Sequence, residues 1–248
     1  MDGKIQEDVY FTPKQAADHF NLSLSTVKNY IYSGRLKTLK TPGGHHRIRK
    51  SEVLITMGDE EPSVSLEAFC SALLGTLNAL GPAGSSLANH CKAVSEMSYK
   101  TSMIIGFKDK EAYIVKMAGL VHDIGHICTD HVLLSKSPPL TCAEYEALKK
   151  HAEAGRQMLN TIKPFKRIAE IVGQHHERPD GNGYPDGLKG SAIEKAALII
   201  AVAESYDSMV SPYSYKMPVS KDNAVAELLK YSGAQFDKDI VQAFLKII

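Results

Sequence analysis

Leu120-Val121-His122-Asp123-Ile124-Gly125-His126 lies near the middle of the 248-residue chain. An apolar run leads into an adjacent imidazole and carboxylate, and a glycine follows at once. A His-Asp pair at a helix end can offer one nitrogen and one bridging carboxylate to two metal ions. Two ions about 3.5–4 Å apart activate a water and clamp an in-line displacement at phosphorus. From Val64 onward the surrounding pattern is helical nearly throughout, with helices expected near 64–80, 84–104, 110–126, 141–162, 164–176, 191–209, 220–232 and 237–247. Thr141 and Glu144 have the spacing of a capping box, and Ser220 and Asp237 are expected caps. Strand signals are few, so this larger part of the chain is expected to be all-α. It carries seven of the ten histidines: His90, His122, His126, His131, His151, His175 and His176. A folded helical domain can bring them to one centre. Imidazoles and carboxylates without cysteine suit Mn, Fe or Zn.

A second stretch lies downstream: His175-His176-Glu177-Arg178-Pro179-Asp180-Gly181-Asn182-Gly183-Tyr184-Pro185, leading into Gly187-Leu188-Lys189-Gly190. Together with His122-Asp123, it resembles the signature of the HD-GYP cyclic di-nucleotide phosphodiesterases. His90, Lys149-Lys150-His151, Ala201 to Met209 and Gly233 to Asp237 match in the right order, so the resemblance spans about residues 64–248. It implies metal ligands His90, His122, Asp123, His151, His175, His176 and Glu204, with Asp123 bridging two divalent ions, Fe or Mn, or Zn. It further implies Asp123 as a catalytic residue and cyclic di-GMP as substrate, cut to pGpG or GMP, and His126, which can donate a hydrogen bond or a proton, is expected to be catalytic beside it. Asp180, Gly183, Tyr184, Pro185 and Lys216 would border that substrate. Tyr184 reads equally as a packing residue in a turn.

The chain departs from the family pattern at four places. His126 stands where lysine is usual, and histidine is not reliably charged at neutral pH. Glu204 replaces an aspartate and reaches one methylene further. Ser86 stands where trinuclear members carry glutamate, which implies two ions rather than three. Tyr213-Ser214-Tyr215-Lys216 replaces Arg-Pro-Tyr-Arg, removing a planar clamp. His126 and His131 also reproduce the spacing of HD-type nucleotide triphosphohydrolases, although His131 reads more simply as a surface residue.

Between Val9 and Lys50 the chain has eight Lys or Arg against one acid, net +7, while the whole chain is only +1. Such asymmetry points to a basic module for a polyanion. Thr12-Pro13 opens a helix, a break follows at Asn21-Leu22-Ser23, and a second helix runs from Ser25 to near Gly34. Leu36 to Lys40 and His45 to Arg49 read as two strands about the turn Thr41-Pro42-Gly43-Gly44, and a helix starts near Ser51. This order resembles the winged helix-turn-helix of the MerR and excisionase families. It implies DNA binding through Ser25, Thr26, Lys28, Asn29, Arg35, Lys37, His45, His46, Arg47 and Arg49, the second helix meeting base edges and the hairpin serving as a wing. DNA half-sites one helical turn, about 34 Å, apart suit a homodimer.

Three parts are therefore expected: a winged helix-turn-helix over 1–56, an acidic Gly- and Pro-containing linker over 57–63, and the phosphohydrolase domain over 64–248. The fold class is mainly α with one small hairpin. The longest apolar run, Ala196 to Ala203, is too short to cross a membrane and reads as a core helix. The polar start of the chain lacks the apolar core of a signal peptide, which predicts a cytoplasmic protein without a membrane partner. Cys70, Cys91, Cys128 and Cys142 form no C-x-x-C pair and are expected to be small buried thiols. Three functions remain open: a cyclic di-GMP phosphodiesterase, a nucleotide sensor that regulates DNA binding without turnover, and a nucleotide triphosphohydrolase.

Overall fold

The computed structural model describes residues 9–19, 23–50, 52–53, 66–136, 139–211 and 217–248. The expected linker 57–63, Asn21-Leu22, Ser51 and Lys216 lie outside the described residues. The chain divides into two units, Met1–Val64 and Ser65–Ile248.

The smaller unit begins with β1 (Tyr10–Phe11), followed by α1 (Pro13–His19) and α2 (Leu24–Tyr32). Thr12 caps α1 as its position predicts. Its hydroxyl accepts from Gln15 N at 3.2 Å, and Gln15 Oε1 accepts from Thr12 N at 2.9 Å. β2 (Leu39–Lys40) and β3 (His46–Arg49) form the expected antiparallel hairpin, with Leu39 opposite Arg47. The first strand is shorter than its alternation suggested, because Leu36 is drawn into the core with Ala16, Ala17, Val27, Ile48 and Val53. β1 was not expected. It pairs with β3, giving the sheet order β1-β3-β2, and two residues are too few to show alternation in sequence.

The larger unit is helical: α3 (Leu66–Asn78), α4 (Pro82–Ile105), α5 (Asp109–Val121), α6 (His131–Leu134), α7 (Cys142–Asn160), α8 (Lys166–Gln174), α9 (Lys195–Val210), α10 (Lys221–Lys230) and α11 (Lys238–Phe244). α4 buries Ala88, Cys91, Ser95, Ser98 and Ser102, a single face at three- and four-residue spacing, against α5 and α9. The contact with α5 is close because Gly119 has no Cβ: one added there would stand 3.0 Å from Ser95 Cα. α9 is buried on nearly all sides and is the core helix expected from its apolar run. No helix among the described residues is long and apolar enough to cross a membrane. The capping box at Thr141 and Glu144 is complete, and Ser220 and Asp237 cap α10 and α11.

Three helices depart from their expected ranges, each at a 3-10 turn. The helix expected over 110–126 ends at Val121, and a 3-10 turn covers Ile124–Cys128. The one expected over 164–176 begins in a 3-10 turn at Lys163–Phe165 and stops at Gln174. α9 starts at Lys195, later than expected, after a third 3-10 turn at Gly190–Ala192. Apolar periodicity continues across such turns, so it does not mark them. α6 is too short to have been seen. Cys70 and Cys91 are buried thiols as expected, but Cys128 and Cys142 are exposed, since each sits at the end of a helical segment facing solvent.

The 3-10 turn packs directly on α7. A Cβ on Gly125 would fall onto the His151 carbonyl oxygen and lie 2.6 Å from Gly155 N. Gly125→Ala should therefore destabilise the protein by about 1–3 kcal/mol, the usual cost of overpacking. Gly75, whose added Cβ meets nothing within 4 Å, is the control. Alanine there should be neutral or stabilising, by up to about 1 kcal/mol. Urea midpoints at unchanged slope measure both, and equal midpoints for the two variants would refute the close-approach argument.

Candidate metal centre

The ends of α5 and α8, the middle of α7, and facing turns of α4 and α9 meet at one point. Every residue of the expected ligand set arrives there. The Asp123 carboxylate lies at the centre, buried, with imidazoles on both of its oxygens. His122 Nε2 lies 3.3 Å and His90 Nε2 4.0 Å from Oδ2. His151 Nε2 lies 3.3 Å, His126 Nε2 3.8 Å and His175 Nε2 3.9 Å from Oδ1. His176 Nε2 is 3.1 Å from His151 Nε2 and 3.6 Å from Glu204 Oε1. Two groups of donor atoms each gather within 4.8 Å: His90, His122 and Glu204; and His151, His175 and His176.

The proton positions follow from the backbone. His122 Nδ1 lies 2.8 Å from Gly119 O, His151 Nδ1 2.7 Å from Leu148 O, and His175 Nδ1 2.5 Å from Val172 O. A carbonyl oxygen only accepts, so each Nδ1 carries the proton and each Nε2 of the neutral ring is bare. His151 Nε2 and His175 Nε2 then face each other at 3.1 Å with no proton between them. His122 Nε2 is buried and has no hydrogen-bond partner among the described residues. Converging lone pairs around a carboxylate, with none of their own protons to share, fit a divalent cation. Asp207, which sequence reasoning did not single out, holds His90 Nδ1 at 2.6 Å and leaves its Nε2 facing the centre. Asp207 lies one helical turn beyond Glu204 on α9, so its spacing was the available signal.

Burial pushes the imidazoles of His151, His175 and His176 below the ordinary histidine range, and that of His126 to about 3. Burial also raises the Glu204 carboxyl to about 8. For Asp123 burial works upward, but His122, then His126 and His151, hold the carboxyl well below its usual range. Burial works downward on His122, yet Asp123 and Cys91 lift it above. A field that favours a proton at His122 favours a metal cation there equally. Cys91, passed over in sequence although adjacent to His90, brings its sulfur within 4.8 Å of His122 and Asp123. Burial raises its thiol, which makes it a protonated wall rather than a ligand.

The cluster opens into a cleft of about 580 Å³. One wall is apolar, with Leu133, Leu134, Leu140 and Leu148. Ser86, Ser208 and Ser211 line the cleft as well. Two lysines face it, and both are paired: Lys136 with Glu144 at 2.5 Å and Lys149 with Glu146 at 2.7 Å. Lys149 also lies over the rings of Tyr145 and Tyr184. Of the residues expected beside a substrate, Tyr184 lines the cleft and stacks on His176 at 4.6 Å. Asp180 is bound to Arg178 at 2.6 Å and accepts from Asn182 N. Gly183 sits against the backbone of Arg178 and Glu177, where a Cβ would approach within 2.5 Å. Pro185 follows a cis peptide bond from Tyr184. His131 is on the surface, its side chain 84% exposed.

Glu177 holds this loop, and sequence reasoning gave it no role. Its buried carboxylate accepts from Asp186 N at 2.7 Å, Gly187 N at 3.0 Å and Leu188 N at 2.9 Å. Tyr184 N returns to His176 O at 3.2 Å, so the carboxylate fixes the loop that carries the Tyr184 ring onto His176.

In the smaller unit Ser25, Lys28 and Asn29 are exposed on α2, while Thr26 is half-buried. The hydroxyls of Ser25 and Thr26 each lie 2.7 Å from that of Ser23, the helix cap. Arg35, Lys37, His45 and Arg49 are exposed, and His46 and Arg47 half-buried. Lys28, His45, His46 and Arg47 line one groove with Tyr32, which is 77% exposed and was not expected.

Residues 78–240 match the family model of the HD domain, and residues 10–54 match that of a helix-turn-helix domain. The chain is 34% identical over 203 residues to a cyclic di-GMP phosphodiesterase of Thermotoga maritima, covering 81% of this chain and 55% of that protein. It is 35% identical over 158 residues to the cyclic di-GMP phosphodiesterase response regulator RpfG of Xanthomonas campestris, covering 62% and 42%. It is 33% identical over 142 residues to a 3'3'-cGAMP-specific phosphodiesterase of Vibrio cholerae, covering 56% and 31%. The chain thus spans about half, or less, of the length of these relatives. Among solved structures, Bd1817, an HDG"Y"P protein from Bdellovibrio bacteriovorus, shares the fold. The TM-score is 0.55 at 17% identity, over 84% of each chain.

Replacing Glu177 by Gln turns one acceptor into a donor facing a backbone N–H, which costs about 1–3 kcal/mol locally. The amides of Asp186, Gly187 and Leu188 should then exchange roughly 10–100-fold faster with deuterium. Unchanged exchange there would remove Glu177 from the role of loop anchor.

Proposed function

This chain belongs to the HD domain family, and on that premise we propose that it is a metal-dependent phosphodiesterase hydrolysing cyclic di-GMP to pGpG or GMP, joined to a DNA-binding module. The observation that carries the reading is the buried Asp123 carboxylate with bare imidazole nitrogens on both oxygens, at the floor of an open cleft. Asp123 would bridge two divalent ions, Fe or Mn, with Zn also suited to the donor set. His90, His122 and Glu204 would serve the Oδ2 side, and His151, His175 and His176 the Oδ1 side. When bound, such a pair of ions supplies the activated water and neutralises charge on the phosphodiester.

The chain's own residues do the rest. The carbonyls of Gly119, Leu148 and Val172 fix three ring tautomers, and Asp207 fixes a fourth ring. The cleft volume is in the range of small-ligand sites. Its leucine wall suits the face of a purine, and Tyr184 borders the reacting phosphate side by its stack on His176. Lys149, held between two tyrosines, is the cation best placed for a substrate phosphate. Both partners, DNA and a cyclic dinucleotide, fit a cytoplasmic regulator, and a homodimer fits paired DNA half-sites.

The second reading, a nucleotide sensor without turnover, is favoured by one observation: His126 lines the cleft at the position where the family pattern carries a lysine, so that cation is missing. Incubating reduced protein, loaded with Mn or Fe(II), with cyclic di-GMP separates the two. Chromatography should show pGpG or GMP, and Asp123→Ala should lower the rate at least about 100-fold, as loss of a preorganised electrostatic group does. Metal-loaded protein that yields no product leaves the sensor.

For the DNA module, Arg47→Ala should weaken binding to all duplexes alike. The slope of log affinity against log salt should fall by about one unit, the worth of one phosphate contact. An unchanged slope in a titration from low to moderate salt would exclude Arg47 from the interface.

A further inference from the structure

We propose that His126 is an additional metal ligand, completing the donor set on the Oδ1 side of Asp123. This rests on the metal-centre reading above and adds a residue to it. The backbone sets the position. Because Gly125 has no Cβ, the 3-10 turn lies directly on the His151 carbonyl and on Gly155. That approach lays the His126 ring flat on the His151 ring, with centroids 4.1 Å apart and planes within 18°. The side chain is 11% exposed, and its Nε2 stands 3.8 Å from Asp123 Oδ1. Donor atoms of Asp123, His126 and His151 all lie within 4.8 Å of one another.

The hydrogen bonding of the ring agrees. Thr129 Oγ1 lies 3.1 Å from His126 Nδ1, and when the hydroxyl accepts from Nδ1 the Nε2 facing Asp123 is bare. At 3.8 Å the carboxylate is too far from Nε2 to receive a hydrogen bond from it. His151 Nε2 is bare as well, because its Nδ1 is committed to Leu148 O. In that tautomer two imidazole lone pairs and a carboxylate oxygen converge within 4.8 Å of one another, and a cation is what such a set binds. His126 lines the cleft, yet its ring lies flat on His151 with Nε2 toward Asp123. The Thr129 contact and the stack on His151 hold it inward. His126 thus adds a donor to the metal centre where the family pattern would place a cation.

The test uses the full chain, stripped of metal and reloaded with Co(II). Wild type, His126→Gln, His126→Ala and Asp123→Ala are compared by competition with a chelator, by the visible cobalt absorption, and by proton NMR of the hyperfine-shifted ring N–H signals. Removing a group that only orients a ligand already weakens metal binding on the order of 10–100-fold. Loss of His126 should therefore weaken one ion by at least about 10-fold, change the cobalt bands and remove one ring signal. Unchanged affinity, bands and signal count in both His126 variants, with loss in Asp123→Ala, would overturn the assignment and leave the metal centre standing. A wild type that takes up no Co(II) overturns both. Should the variants misfold, the wild type decides alone: six shifted ring N–H signals include His126, and five exclude it.

Discussion

Among the described residues, the Asp123 carboxylate is buried with imidazoles and a protonated thiol around it, and the larger unit is organised about that charge. Desolvating a carboxylate costs several kcal/mol unless opposite charge or hydrogen bonds compensate. Here the compensation is shared between two sides. His122 and His90 face one oxygen, and His151, His126 and His175 face the other. Each of these rings comes from a different helix or turn, except His122 and His126, which flank Asp123 itself. The packing of α4, α5, α7 and α8 is therefore constrained by where five nitrogens must point, as well as by apolar burial.

Orientation is achieved by one repeated device. His122, His151 and His175 each turn Nδ1 back to the carbonyl three residues earlier. Side chains on a helix lean toward its N-terminus, so this bond comes at little cost and fixes both ring plane and tautomer. His90 has no such carbonyl and is fixed instead by Asp207 across the α4–α9 contact. α9 consequently supplies one carboxylate that faces the centre, Glu204, and one that orients a ligand, Asp207, from a single face. The sharp ends of α5 and α8 serve the same purpose. If α5 continued past Val121, Asp123 would follow the helix surface instead of turning inward to meet α7.

Most of this was legible in the sequence at the level of elements and residue types. Helical periodicity gave the all-α unit, the Thr141–Glu144 spacing gave a cap, and the two His-rich stretches gave His122, Asp123, His126, His175 and His176, which do converge. What was not legible has a common cause. The 3-10 turns at Ile124–Cys128 and Gly190–Ala192 keep the apolar spacing of the helices they interrupt. The roles of Asp207 and Cys91 depend on partners far along the chain: Asp207 meets His90 across 117 residues. Glu177 is the sharpest case. It sits inside the most recognisable stretch of the chain, but its three acceptor bonds go to backbone amides, which carry no side-chain signature. The strand β1 escaped for a related reason, since two residues pair through backbone alone.

The substitutions that look like losses in sequence acquire a different meaning once placed. A longer acid at Glu204 would simply displace an ion if its surroundings were fixed on one side. In the folded protein it gathers with His90 and His122, yet its Oε1 also lies 3.6 Å from His176. The extra methylene therefore lets one carboxylate stand between the two groups of imidazoles, opposite Asp123. His126 departs in the same direction, inward, because Gly125 brings its backbone against α7 and leaves the ring stacked on His151. Both side chains reach toward the centre. The two cleft lysines carry the complementary change, each tied to a glutamate on or beside α7. The centre is thereby richer in donors while the cleft is poorer in free cations. On the proposed reading, the balance in this chain between holding metal and gripping an anionic ligand lies on the side of the metal.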